Sequence, residues 1–462
     1  MKTIVRIEGG NMKPALLLVC FGILFFAACG PAPTATPVAV LPTAAPTVIA
    51  SATPILAPTL TPTAPPTPTL TVPLAPTAEP TSIPTQTPTP TDTPEPTAAP
   101  TNTPEPTATP KSKVALHQVA ELRTGASTLA FSPDDRLLAV ANGGDVVVWD
   151  TASWSQRWTA SHDDSVRKIA FSPDGQRLAS VSFDNTARLW DVATGNQVAQ
   201  LDYGYWVYGL DFSSDSQRLA TGGFDGKVII ADATTGQPIN EFKHQLMVQD
   251  LALSPNGPWL AVMTSGSWGP VELVVWDIFT HERRTLAEFN GLPSHSNVVF
   301  SPDTKWLAAA MSFGAPVTIW ETKIWPEVAH LEISDGVIKQ LAFSPDGRWL
   351  AGVVFKGETD NKVLVWEVPA WRVVSQMEQA DVVWDVAFSP DGQWLVTGLG
   401  QGIEHPPAYE GQLWETASGT LVARMPHARQ VLAVAFSHDG KRIATGSYDQ
   451  AKIWEFQSST GD

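Results

Sequence analysis

A closed all-β ring of eight four-stranded blades is the architecture the sequence predicts, and three observations predict it. One pattern recurs eight times: a short apolar strand, a Ser-Pro-Asp-Gly-type turn, a second strand, another turn, and a third strand ending in Trp-Asp or Trp-Glu. Residues 166–180 and 187–191 carry the clearest copy, where Pro173 fixes φ and Gly175 accepts positive φ. The turn phenylalanine, or the residue in its place, falls at Phe131, Phe171, Phe212, Leu253, Phe300, Phe343, Phe388 and Phe436, spaced 40 to 48 residues apart. That is the period of a four-stranded propeller blade. The strand-end residue keeps step at Trp149, Trp190, Ala231, Trp276, Trp320, Trp366, Trp414 and Trp454.

The Phe-Ser-Pro-Asp-Gly turn with Trp-Asp after the third strand resembles the WD40 repeat in its bacterial form, over residues 113–462. The resemblance implies a β-propeller and says little about chemistry, because propellers host scaffolds, receptors and enzymes alike. It implies that the N-terminal strand, residues 114–122, completes the last blade, since little chain follows Trp454. Closure of this kind removes both free sheet edges. It also implies a polar network of His162, Ser182, Asp184 and Trp190 in repeat 2, and of His427, Ser447, Asp449 and Trp454 in repeat 8. These sets are read as structural rather than catalytic: they recur, and each includes a tryptophan whose indole N–H needs an acceptor.

Residues 1–28 read as a lipoprotein-type signal peptide. Lys2, Arg6 and Lys13 precede an apolar run too short to span a bilayer, and small residues lead into Cys29, the expected lipidation site. The only other cysteine is Cys20, inside that run, so a disulfide framework is not expected. Residues 29–112 are a Pro/Thr/Ala-rich linker with too few large apolar side chains to bury a core, and are expected to be disordered.

Residues 113–462 hold 25 Lys+Arg against 41 Asp+Glu, a net of −16, with no basic run. That balance argues against nucleic acid and against docking on anionic lipid, leaving the lipid anchor as the only membrane link. No nucleophile elbow, phosphate loop or His-Glu-x-x-His occurs, and the nine histidines are scattered. No cofactor, metal or catalytic residue is therefore assigned. The expected function is a cell-surface, non-catalytic scaffold of the cell envelope, a monomeric propeller binding an unidentified protein, peptide or glycan. The alternative is a propeller enzyme of the cell envelope: a quinoprotein-like dehydrogenase, a lyase or a glycan hydrolase.

Two features place the binding rim. From the second-strand Leu to the strand-end Trp takes 12 residues in repeat 2 but 16, 16 and 19 in repeats 4, 6 and 7. The extra residues hold Trp268 in 265–270, a charged stretch in 356–362, and Glu404, His405 and Tyr409 in 400–411. Four residues before each turn Phe stand Ser127, Arg167, Tyr208, Gln249, Ser296, Lys339, Trp384 and Leu432, a mixture rich in interface hot-spot types. Tyr203, Tyr205 and Trp206 add aromatics beside them. A second aligned set, with Trp259, Trp306, Trp349 and Trp394 among arginines at Arg177, Arg218 and Arg442, is read as packing between blades.

Overall fold

The computed structural model describes residues 115–266, 270–290, 293–312, 314–333, 336–357, 360–400 and 409–457. Cys29, the signal segment, the linker, Trp268, Glu404 and His405 lie outside the described residues. Thirty-two strands, β1–β32 in chain order, form eight four-stranded sheets and no helix occurs among the described residues. In seven sheets the four strands follow one another in sequence, as antiparallel meanders. The eighth joins β1 (Leu116–Leu122) to β32 (Ala451–Phe456), β31 (Arg442–Ser447) and β30 (Val431–Phe436). Gln118 stands opposite Trp454 in that pairing, so the N-terminal strand closes the ring as expected.

The inner strand of each blade is the one ending in the turn phenylalanine or its stand-in. These are β2 (Thr128–Phe131), β6 (Val166–Phe171), β10 (Val207–Phe212), β14 (Met247–Leu253), β18 (Pro293–Phe300), β22 (Val337–Phe343), β26 (Val383–Phe388) and β30. Each contacts the next around the ring, and β2 contacts β30. There is no single centre: each apolar core lies between two blades. Trp366, fully buried, packs with Leu350 and Leu364 of its own blade and with Ala308 and Ile319 of the blade before.

The Ser-Pro-Asp-Gly turn is a closed hydrogen-bonding unit. Ser172 Oγ donates to Asp174 Oδ1 at 2.5 Å and accepts from Arg177 N at 2.9 Å, while Gly175 N donates to Ser172 O at 2.8 Å. Gly175 sits at φ +71°. In blades 1, 3 and 5 this left-handed position is held by Asp135, Ser216 and Thr304, at φ +58°, +59° and +62°. Such a backbone is unfavourable for a side chain, most of all a β-branched one. Each of the three has a contact a glycine lacks. Asp135 accepts the amides of His438 and Asp439 at 2.7 Å, Ser216 Oγ accepts Asp174 N at 2.9 Å, and Thr304 Oγ1 accepts Asn256 N at 2.7 Å. Each donor belongs to the preceding blade, so the strained positions act as latches between blades.

The aligned tryptophans and arginines on the second strands pack on this same turn face, each against the next blade. Trp259 meets Trp325 edge-on at 5.2 Å and Trp306 meets Trp371 at 5.4 Å. Arg218 lies 4.8 Å over Phe279, and Arg442 lies 5.7 Å over Trp154 across the closing seam.

Candidate functional site: the bulge rim

Two structural rules build the rim. Antiparallel pairing puts the start of each inner strand beside the end of the second strand and the turn that follows it. A β-bulge then interrupts that pairing at one place in each of blades 2–8. In blade 2, Val166 pairs Ser182 and Lys168 pairs Val181, and Arg167 is skipped. The skipped residues elsewhere are Tyr208, Gln249, Lys339, Trp384 and Leu432, with 294–296 skipped in blade 5. Blade 1 has no bulge in its shorter inner strand, and Ser127 there donates its hydroxyl to Ala141 O at 3.0 Å. A bulge bends the strand and frees one residue from the ladder, which re-aims its side chain. In blades 2–8 the aligned ring is therefore a ring of bulged residues.

The structure draws these residues into two clusters. Around blades 2 and 3, Arg167 lies 5.6 Å over the Tyr208 ring, and Tyr208 stacks on Phe224 at 4.3 Å and 6°. Phe183 touches both Tyr208, at 5.5 Å, and Trp206, at 5.1 Å, and Tyr205 adjoins Trp206 at 5.0 Å. Tyr205 is 48 % exposed. Around blades 6 and 7, Lys339 Nζ lies 4.4 Å over Phe355 and 4.7 Å over Trp384. The Trp384 indole N–H donates to Gly400 O at 2.8 Å, which fixes the ring. Burial lowers the Lys339 ammonium to a pKa of about 8.

The remaining rim residues are more dispersed. Gln249 is half-buried in blade 4, apart from both clusters. Tyr409 is half-buried at the end of the long turn of blade 7, where its carbonyl accepts His427 N at 2.7 Å. Tyr203 does not join the aromatic patch: it is buried, and its hydroxyl meets Thr221 Oγ1 at 2.6 Å. The partner rings Phe183, Phe224 and Phe355 were not among the expected rim residues. All three stand twelve residues after the turn phenylalanine, as does Tyr448, which is 51 % exposed. That common offset is the signal that could have found them.

Between the clusters, the inner wall carries three carboxylates that already serve as acceptors. Asp211 accepts Leu253 N at 2.8 Å. Asp250 accepts Asn297 Nδ2 at 2.7 Å and Val298 N at 3.1 Å. Asp385 accepts Gln340 Nε2 at 2.8 Å and Val434 N at 2.9 Å. With Asn297 Oδ1 accepting Leu341 N at 2.7 Å, these bonds form a girdle from blade 3 to blade 8. Burial raises all three acids, Asp211 to about 6. Their oxygens hold backbone, so they do not form a free acid–base pair.

The expected polar networks need one correction. His162 Nδ1 meets Asp184 Oδ2 at 2.8 Å, but its Nε2 meets Ser180 Oγ at 2.7 Å, and Trp190 donates to that same hydroxyl at 2.8 Å. The network serine is Ser180, not Ser182. Ser182 instead donates to Asp164 O and accepts Asp184 N at the turn. In blade 8 the hydroxyl is Thr445, not Ser447, reached by His427 at 2.7 Å and by Trp454 at 2.9 Å. Ser447 pairs with Asp449 at 2.7 Å, and His427 Nδ1 is left buried without a partner. Residues two apart on a strand share a face, so alternation could not separate the two candidates. Burial lowers His427 to about 4 and holds His162 below its ordinary value. Both are braces between strands rather than proton donors.

The turn face also has a cleft, of about 310 Å³, lined by Leu137, Arg157, Arg177 and Asp191. Arg177 and Asp191 pair there at 2.8 Å, so that cleft offers little unspent charge.

Comparison with known proteins agrees with this architecture. Residues 117–150, 154–191, 195–232, 325–367, 372–402 and 419–455 match the family model described as WD40: WD domain, G-beta repeat. No curated protein matches the chain. Among solved structures it is similar to a crystal structure of the computationally designed Ika8 protein, with a TM-score of 0.58 and 19 % identity over 73 % of this chain and 98 % of that one. At that identity the likeness speaks for the fold alone. The chain is a β-propeller of eight blades that carries WD40 repeats in the six matched segments, and WD40 propellers commonly serve as protein-interaction scaffolds.

Proposed function

We propose that the chain is a non-catalytic binding scaffold whose ligand face is the bulge rim, and that it is held at the cell surface by a lipid on Cys29. One observation carries the first part. The bulges present Arg167 with Tyr208, and Lys339 with Trp384, as two cation–aromatic pairs at the rim, and the two cations have no ion-pair partner among the described residues. Aromatic and cationic side chains at a rim are the residue types that carry most interface energy. The anchor rests on the apolar run and small residues before Cys29, the chain's last cysteine.

The favoured partner is a protein or peptide, in keeping with the common use of these propellers. Tyr208→Ala combined with Trp384→Ala is expected to abolish capture of a display-selected peptide, with thermal stability near wild type. Capture that survives this pair but fails on changing Asp303 or Lys305 would move the site to the turn face. For the anchor, Cys29→Ser is expected to shift the protein from the detergent to the aqueous phase. Unchanged partitioning would assign anchoring to the apolar run itself.

A further inference from the structure

The geometry points to a carboxylate as the group the rim receives: an acidic side chain of a bound peptide, set against Arg167 or Lys339 at the mouth of the ring. This inference rests on the binding function proposed above and names the chemistry of its ligand.

Many cations of this acidic domain are already matched. Arg177 pairs with Asp191, Arg188 with Asp184, Arg283 with Glu272 and Arg442 with Glu455, at 2.6 to 3.2 Å. Arg167, Lys168 and Lys339 have no carboxylate within ion-pair distance among the described residues. Arg167 and Lys339 are the bulged residues, where side chains leave the ladder, and Lys168 is the next residue along. Blades 2 and 6 stand four apart in a ring of eight, so Arg167 and Lys339 lie on opposite sides of the mouth. Each rests on an aromatic ring of the next blade, Tyr208 and Trp384.

Nearby carboxylates do not fill the gap. Asp211, Asp250 and Asp385 hold amides of adjoining blades, and burial leaves each with a raised pKa despite the cations beside them. Lys339 is the more telling case. Its ammonium is removed from water against Phe355 and Trp384, with no counter-charge to offset the loss. A desolvated charge weakens folding unless it is paired, and its presence without a partner is what a site kept for binding would show. A ring face satisfies one side of the ammonium, and an arriving anion would satisfy the other.

The charge of that anion follows from the setting. A net of −16 on residues 113–462 opposes a dianion more strongly than a monoanion. The described residues also contain no helix, hence no helix N-terminus for a phosphate. Aromatic surface beside each cation suits a side chain in a peptide with apolar neighbours, the mixed chemistry of Glu or Asp beside Phe or Leu.

The test uses the full chain and fluorescein-labelled eight-residue peptides with aromatic neighbours around a central Glu, Gln, Lys or phosphoserine, read by fluorescence anisotropy. The Glu peptide is expected to bind about tenfold tighter than its Gln counterpart, and less tightly as salt rises. Arg167→Gln and Lys339→Met are each expected to reduce that preference severalfold, and together to erase it. Lys305→Gln, which removes a cation over Trp306 on the turn face, should leave it unchanged. Equal binding of Glu and Gln peptides, with both lost in Tyr208→Ala/Trp384→Ala, overturns the carboxylate and leaves the binding rim standing. Preference for phosphoserine overturns it in favour of another anion. Absence of binding by every peptide overturns both readings.

Discussion

The two faces of the ring use the same residue types to opposite ends. On the turn face, charged and polar groups are engaged with backbone: Asp174 and its counterparts close the turns, while Asp135, Ser216 and Thr304 latch one blade to the previous one. Tryptophans there pack on tryptophans of the next blade. On the bulge rim, cations rest on rings with no carboxylate within ion-pair distance among the described residues, and Tyr205 stays half exposed. One face is saturated by its own chain and the other is not. The difference shows that a tryptophan or an arginine in a repeat has no fixed meaning until its place in the blade is known.

Ways to break this contrast range from large effects to small. Deleting residues 113–122 removes the strand paired with β32 and should cost both faces at once. A loss of roughly 4 kcal/mol or more in unfolding, with peptide capture lost alongside, is expected in a chemical melt. The pair Tyr208→Ala/Trp384→Ala should separate the faces. Capture falls at least about thirtyfold, roughly 2 kcal/mol, while the thermal midpoint stays near wild type.

The converse variant is Asp135→Ala, which leaves the amides of His438 and Asp439 without their acceptor at the closing seam. It should lower stability by about 2 kcal/mol without touching capture. Asp135→Gly should cost less, because glycine relieves the φ of +58° while losing the same bonds.

The smallest effect sharpens the contrast through pH. Lys339 is packed against Phe355 and Trp384, and burial lowers it from 10.5 to about 8. A lowered lysine is charged more readily in the unfolded chain, so between pH 8 and 10.5 the unfolded state binds more protons and stability rises with pH. Lys339→Met should remove that rise and gain about 1–2 kcal/mol at neutral pH. Unchanged stability at pH 7, with the rise still present, would mean that the ammonium is compensated within the chain.

The fold was readable because each blade repeats the same punctuation at the same period, and closure followed from a strand-like stretch at 114–122 beside a last repeat short of its fourth strand. The ring at Arg167, Tyr208, Lys339 and Trp384 was readable as an alignment column, yet its cause was not. A bulge shifts the period-two alternation by one residue, and in a six-residue strand such a shift cannot be told from a strand boundary, so the pattern does not announce it. For the same reason the girdle acids Asp250 and Asp385, one residue further along, gave no sign of bridging to the next blade. Ser180 was hidden by Ser182 on the same face of one strand. The latches at Asp135, Ser216 and Thr304 depend on contacts between blades, which no single repeat contains.

The claim that the bulge rim is the ligand face is tested most directly by hydrogen–deuterium exchange of the full chain, with and without the tightest-binding peptide of the anisotropy series. Protection is expected around residues 166–168, 207–209, 338–340 and 383–385, with the Ser-Pro-Asp-Gly turns unchanged. Protection confined to residues 132–136, 172–177, 301–306 and 437–442 would place the ligand on the turn face and contradict the account.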